Sequence, residues 1–598
     1  MNKLYFIIFI FISINFSVLK SEIIYLDPAP NSKLVNTNNS LIIGTAESIN
    51  PASLNNFSVT VTGVKSGLHN GVLKLLPERG KILFKPSQPF ALDERVDVVI
   101  SSGLRTNKGA AIPGKSYSFY TQRTKLYQDP LKSLNDEINP SGVFKQPNIS
   151  GNNFGGDPPH LSVITYNNPV QEDLFLSSFP VVGYPPGQFL IIADPLINPY
   201  YIQELPANAY DFKEQPNGNL TYYRADFQKF YEMNIQYDIV DSFACGNGYT
   251  ADLHEMRLLT TGHALLLAYD PEIVDMSQIV TGGDPNATVV GLIVQEVDNS
   301  GNVYFQWRSW DHFLITDATH EVLTSSYIDY VHGNAIEYYP DGNLIISSRH
   351  MDELTKIDIQ DGDIIWRMGG KNNEFGFISE PLRFSHQHAV RRLSNGNLTL
   401  FDNGNYRTPP DTRAIEYLMD ETNKTATLVW QYYHSPSVYS TAMGYVERLE
   451  NGNSLISWGY SYGGPMLTEV TPSGDPALEV SMPNGYYTYR AFKYHWIGEP
   501  LNIHTVTGNI PVDFSLGQNY PNPFNPTTTF QFDVPKSSVV EITLFDINGR
   551  HIRTLVNKQL TAGKYSASID GSGISSGVYF YRLRAGDLNF TRKMVLMK

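Results

Sequence analysis

One local frame, repeated four times, most constrains what this chain can fold into. It pairs an alternating apolar strand, a turn closed by glycine and a second alternating strand. The copies are ADLHEMRLLTTGHALLLAYD, DYVHGNAIEYYPDGNLIISSRH, SHQHAVRRLSNGNLTLFDNG and TAMGYVERLENGNSLISWG, with turn glycines Gly262, Gly342, Gly396 and Gly452. Asn-Gly or Asp-Gly between alternating runs is the strongest short-range hairpin signal. A chain that repeats hairpins at long intervals builds a β-structure of similar sheets rather than one continuous sheet.

The spacing predicts the architecture. The four glycines are 80, 54 and 56 residues apart. A four-stranded propeller blade takes about 40–50 residues, so the shorter gaps each read as one blade with long loops. The first gap reads either as one blade with an insertion or as two blades with a degraded repeat; SGNVYFQWRSWDH around Gly301 favours two. Weaker hairpins lie at PNGNLTYYR and IQDGDIIWRMGG. Five to seven blades fit, and six is the expectation. The six tryptophans all fall between Trp307 and Trp496, which places the aromatic core there.

Within the frame, certain slots change identity in a way that points to chemistry. Eight residues before the glycine stand His254, Asn334, His388 and Gly444. Ten before stand Asp252, His332, His386 and Ala442. Seven after stand Tyr269, Arg349, Asn403 and Gly459. Offsets of eight and ten share a face of a regular strand. Three frames therefore offer His, Asn and Arg to a common cavity, and the fourth is blank. Histidine at neutral pH can act as nucleophile, base or donor. Arginine forks onto two oxygens of an anion. Zinc held by His332, His386 and His388 is an alternative, as zinc takes three or four such ligands. A quinone site near DGDIIWRMGG is another, with blade packing the simpler reading of its tryptophan.

Elsewhere the chain divides by pattern. Lys3 and an apolar run over residues 4–16 read as a signal peptide ending near Ser21, too short for a membrane span. Residues 22–122 alternate strand and turn like an immunoglobulin-like sandwich, with a spacer or docking role. Residues 123–155 form a polar linker rich in Asn, Pro and Gly. Residues 156–505 make the propeller, and residues 514–598 a last sandwich of short strands. The expected class is all-β. A net charge of −15, from 44 basic and 59 acidic side chains, argues against nucleic acid as a partner. Cys245 is the only cysteine, so no internal disulfide can form, and burial is its expected fate.

Two resemblances add to this reading. NYPNPFNP (519–526), DINGR (546–550), GVY (577–579) and the closing KMV (593–595) resemble the type A sorting domain of the type IX secretion system. That implies a cargo handled by that machinery and either released or held at the cell surface. The motifs DLHE, VHGNAI, SSRH, QHAVRRLSNGN and FDNGN resemble the bacterial arylsulfate sulfotransferases, over residues 155–498. The resemblance implies a six-bladed propeller that moves a sulfuryl group from a phenolic sulfate to a phenol, with no nucleotide donor and no cofactor. It implies His388 as the transiently sulfated histidine, with His254, His332, Asn334 and Arg349 around the sulfuryl oxygens. Asn403 is read as a substrate-side residue, and Arg490 or Lys493 in YTYRAFKYHW would fill a late basic position. His386 faces the same cavity, and the resemblance favours His388. The competing function is a silent surface propeller that binds glycans. Donor, acceptor and oligomeric state are left open.

Overall fold

The computed structural model describes residues 21–76, 80–127, 132, 158–180, 187–461, 463–496 and 504–506, and most of 511–598. The expected signal peptide and most of the linker lie outside these residues. The described chain is all-β, with a few single-turn helices.

Residues 23–120 form two four-stranded antiparallel sheets. In Arg95–Ile100 the inward positions Val96, Val98 and Ile100 are buried between outward Arg95, Asp97 and Val99. These residues meet Leu41, Ile43, Val61, Ile82, Phe84 and Phe119 in one core. The sandwich is docked on the central domain through buried polar contacts. Tyr25 Oη donates to Gln306 O at 2.6 Å and accepts from Gln306 N at 3.0 Å. Lys81 Nζ donates to Ile359 O at 2.9 Å while lying over the Tyr25 ring. Arg308 Nη2 donates to the carbonyls of Lys33 and Leu34.

The central region holds six sheets of four or five strands, antiparallel except where Tyr327–Asp329 and Gly376–Ile378 each add a parallel edge pairing. Their first strands are Tyr486–Tyr494, Ala209–Glu214, Ala251–Leu258, Gly333–Tyr338, His388–Arg392 and Tyr445–Arg448. Each of these touches the next in that order, and the last touches the first. The two ends of the region are each stitched to a distant part of the chain. Tyr486–Tyr494 pairs with Asp173–Pro180 of the first sheet, and Ser162–Tyr166 pairs with Pro476–Ser481 of the last. The four reference glycines all sit in left-handed turns, with φ from +83° to +92°, a conformation glycine adopts at no steric cost.

The long gap between Gly262 and Gly342 is one sheet, not two. Gly301 joins Ala287–Val297 to Val303–Arg308 inside the sheet that Ala251–Leu258 begins. The extra length lies in two eleven-residue strands, Ala264–Val274 and Ala287–Val297, and in the segment 309–332 that follows. Hairpins cut at Gly301 and Gly262 look alike in sequence because both need the same left-handed glycine.

Residues 504–596 form a second two-sheet sandwich. Thr527–Val534 alternates exposed threonines and glutamine with buried Thr528, Phe530, Phe532 and Val534. The apolar side packs against Ile542, Leu544, Tyr581, Leu583 and Met594.

Candidate active site

Five of the six first strands are irregular at the same level. Pairing slips between Ala251 and Met256, between Gly333 and Ala335, and between His388 and Arg391. It also slips between Tyr210 and Lys213, and opposite Leu176 and Ser178 in Tyr486–Tyr494. The sixth, Tyr445–Arg448, is regular throughout. A bulge bends a strand and re-aims its side chains. Here the bulges contain or border His254, Asn334 and His388, the three polar residues at offset eight.

Below this level lies a buried ion network drawn from four first strands. Arg490 Nη1 reaches Asp211 at 3.0 Å and Glu255 at 2.9 Å. Arg391 Nη2 holds Glu255 at 2.7 Å, and Lys213 pairs with Asp211 at 2.7 Å and with Glu255. The surrounding cations hold the Glu255 carboxyl well below its usual range despite burial. Arg490 Nη2 also donates to Asn334 O at 2.8 Å. Arg490 thus supports the bulge from beneath. Lys493 is occupied elsewhere, on Glu469 at 2.6 Å and on Val170 O.

The offset-eight residues form a buried floor. His254 Nδ1 binds Asp252 at 2.5 Å, and its ring stands 5.3 Å from His332 and 5.6 Å from Tyr489. Asn334 Nδ2 donates to Gln387 O at 2.8 Å. His254 Nε2 and Asn334 Oδ1 are buried with no hydrogen-bond partner among the described residues. Such an orphan costs about 1–3 kcal/mol unless a ligand or water meets it.

His388 is held in one tautomer. Asn403 Nδ2 donates to the carbonyls of Ser440 and Met443, both at 3.1 Å, which leaves Asn403 Oδ1 to accept from His388 Nδ1–H at 2.7 Å. His388 Nε2 accordingly carries the lone pair, and it accepts from Met443 N at 3.3 Å. The residue seven after the glycine thus serves the residue eight before it. Tyr269 stands in the same relation to His254, 3.4 Å from its Nδ1.

Above the floor opens a cleft of about 490 Å³. Its walls include His332, Arg349, His350 and His386, with Tyr406 and Thr441. The offset-ten histidines therefore line the cleft while the offset-eight residues lie beneath it, although a regular strand would turn both one way. The reason is backbone: His332 and His386 each adopt φ +51°, a left-handed conformation uncommon for histidine. That kink breaks the alternation ahead of each bulge. Strain of this kind persists where surrounding structure over-determines it, often at functional sites.

The electrostatics of the cleft follow from its contacts. Arg349 Nη2 donates to Thr441 O at 3.2 Å, and Nη1 donates to His350 Nε2 at 2.8 Å. An arginine only donates, so His350 is neutral, with Nδ1–H on Asp329 O at 2.6 Å. Burial and the neighbouring His332 and Arg349 agree, pulling His350 down to about 3. His350, next to Arg349 in SSRH, is a positioning residue that offset counting passed over. His386 is also held well below its usual range, by burial and by Arg349. Neither of its ring nitrogens has a hydrogen-bond partner among the described residues.

Asp329, His332 and His350 bring donor atoms within 4.8 Å of one another, but as a hydrogen-bonded set. Asp329 Oδ2 takes His332 Nδ1 at 2.7 Å, and the Arg349 guanidinium occupies the approach to His350 Nε2. A fixed cation there repels a metal ion. His388, bound to Asn403, does not join His332 and His386 in a ligand set. The arrangement suits a small anion of several oxygens: a guanidinium, imidazoles and an amide above a cationic base, within a chain of net charge −15.

Residues 198–490 match the arylsulfotransferase (ASST) family, and residues 518–597 match the secretion system C-terminal sorting domain. No curated protein matches the chain. Among solved structures, a protein of unknown function from Bacteroides caccae is 11% identical, covering 54% of this chain and 98% of its own, at a TM-score of 0.35. Virginiamycin B lyase from Staphylococcus aureus is 10% identical, covering 54% and 88%, at 0.30. A quinonprotein alcohol dehydrogenase-like protein from Bacteroides thetaiotaomicron is 11% identical, covering 77% and 96%, at 0.27. Likeness of that degree carries no argument about this chain. The family matches do: the central sheets match the arylsulfotransferase (ASST) family over residues 198–490, and the sorting-domain match over residues 518–597 indicates export to the cell surface or beyond.

Proposed function

We propose that the central domain is a six-bladed propeller and an aryl-sulfate sulfotransferase, working through a sulfohistidine at His388 without a nucleotide donor. The observation that carries this reading is His388 itself, whose Nδ1–H is committed to Asn403 at 2.7 Å, which puts the lone pair on Nε2, where the donor sulfur would replace the long contact from Met443 N at 3.3 Å. A neutral imidazole with a fixed lone pair is a competent nucleophile near neutral pH. Sulfuryl transfer, like phosphoryl transfer, asks mainly for positioning and charge stabilisation. Arg349 supplies a two-pronged contact to the sulfuryl oxygens, Asn334 adds the Nδ2–H not given to Gln387, and His254 and His332, with Nδ1 on Asp252 and Asp329, donate from Nε2 when the ring is protonated. His388 Nε2 attacks sulfur, the S–O bond to the aryl group breaks, and the acceptor phenol later takes the sulfuryl group from Nε2. Asn403 keeps the proton on Nδ1 through both half-reactions.

The test is incubation with para-nitrophenyl sulfate and a second phenol, with no nucleotide present. Nitrophenol release with a new sulfate ester is expected. Donor alone should leave one SO₃ on a histidine, and peptide mapping should find it on His388. An adduct on His386, which lines the cleft, would keep the reaction and move the nucleophile. No ester and no adduct, with retained binding of a surface glycan, would replace the enzyme by a binding propeller.

A further inference from the structure

The chemistry proposed above needs a proton at two moments. The departing aryloxide must receive one, and the incoming phenol must lose one. The groups around the cleft can be taken in turn. His350 has Nδ1–H on Asp329 O and Nε2 on Arg349. The Asp329 carboxylate is held below its usual range, against burial, by His332 and His350. His386 stays neutral beside Arg349 and is a weak base there. Arg349 and Lys132 stand on the same wall.

Glu321 is the carboxyl that these commitments leave over. It lies between Val303–Arg308 and Tyr327–Asp329 of the third sheet, outside the repeated frame, and lines the cleft. Its side chain is about a quarter exposed, and Oε1 stops 3.7 Å from His350 Nδ1, beyond hydrogen-bonding distance. Tyr327 and Tyr406 stand on the same wall, so an aromatic ring among them would bring its phenolic oxygen towards this carboxyl.

We propose that Glu321 is the acid–base group of the cleft. It rests on the sulfotransferase reading and deepens it. In the first half-reaction the aryl sulfate, neutral His388 and protonated Glu321 give sulfo-His388, the free phenol and Glu321 carboxylate. In the second, the acceptor phenol gives its proton to Glu321 carboxylate as its oxygen takes the sulfuryl group, which restores neutral His388 and protonated Glu321. Charge and protons balance over the cycle. The surroundings suit both roles: burial and the Asp329 carboxylate raise Glu321 to about 7, against the opposing pull of Arg349, His332 and His320. A group that titrates near the working pH is the effective one for transfer in both directions.

The experiment compares wild type with Glu321→Gln on two donors, para-nitrophenyl sulfate and unsubstituted phenyl sulfate. Nitrophenolate leaves without a proton, so its adduct on the enzyme should form within a few-fold of the wild-type rate. That adduct also reports a folded site. Phenyl sulfate cleavage should fall by about a hundredfold or more, the worth of general acid–base catalysis. In the wild type, phenyl sulfate cleavage should decline as pH rises through about 7, and transfer to phenol should rise over the same range. Both limbs should vanish in Glu321→Gln and persist in Glu321→Asp. Equal losses on both donors, or pH limbs that survive Glu321→Gln, would overturn the assignment. A wild type that forms no adduct from para-nitrophenyl sulfate overturns the sulfotransferase reading and this inference with it.

Discussion

The first strands His388–Arg392 and Tyr445–Arg448 begin the fifth and sixth sheets and grow from nearly the same sequence, HAVRRLSNGN against GYVERLENGN. One is bulged, carries His388 at offset eight and hands it to Asn403. The other is regular and has glycine at both places. The glycines of the second are not open space. A Cβ on Gly444 would fall 2.2 Å from the Phe401 ring, and one on Gly459 would fall 2.6 Å from Gly444 N. The blank frame closes around the aromatic side chain of its neighbour, while the bulged frame keeps a polar pair. The same glycine turn therefore opens four of the sheets, and the chemistry is added by an irregularity beside it.

Four substitutions probe that contrast. The largest effect is expected from His388→Ala, which should lower both donor cleavage and transfer by about a thousandfold or more, as loss of a nucleophile does; thermal unfolding should stay near that of wild type. Retained turnover would assign the bulge a purely structural role. Arg349→Lys keeps the charge and loses the two-pronged contact, so kcat/KM should fall by about a hundredfold. A small change would mean that Arg349 serves Thr441 and His350 rather than the sulfuryl oxygens. The smallest effect separates two glycines by stability alone. Gly262→Ala, at φ +83° with nothing near its Cβ, should cost about 1 kcal/mol. Gly444→Ala, at φ +111° and against Phe401, should cost about 1–3 kcal/mol more. Equal midpoints in urea would show that the blank frame is looser than its packing implies.

How much could be read beforehand depends on which physics each residue obeys. The turn glycines were legible because a left-handed turn leaves few choices of residue. His332 and Arg349 were legible because repeat offsets carry over between sheets. The bulges were not: one extra residue within a strand leaves the apolar pattern almost intact. The left-handed backbone at His332 and His386 hides in the same way, and it decides which histidines line the cleft. Gly301 misled because a glycine turn inside a sheet looks like one that starts a sheet. Glu321 lies in an insertion within the third sheet, where no periodicity speaks. Arg490 was noticed as a late basic residue, but its partners Asp211 and Glu255 lie more than 230 residues away, beyond any local rule.

The docked first sandwich has a consequence for how this protein can be divided. Residues 22–122 read in sequence as a spacer, and spacers can be exchanged, shortened or cut away. Here Tyr25 closes both backbone hydrogen-bonding groups of Gln306, and Lys81 caps the Ile359 carbonyl in a turn of the fourth sheet. Removing the sandwich would expose an apolar face and exchange these buried hydrogen bonds for bonds to water, a net loss of about 0.5–1.5 kcal/mol for each. The sandwich and the central domain should therefore unfold as one cooperative unit.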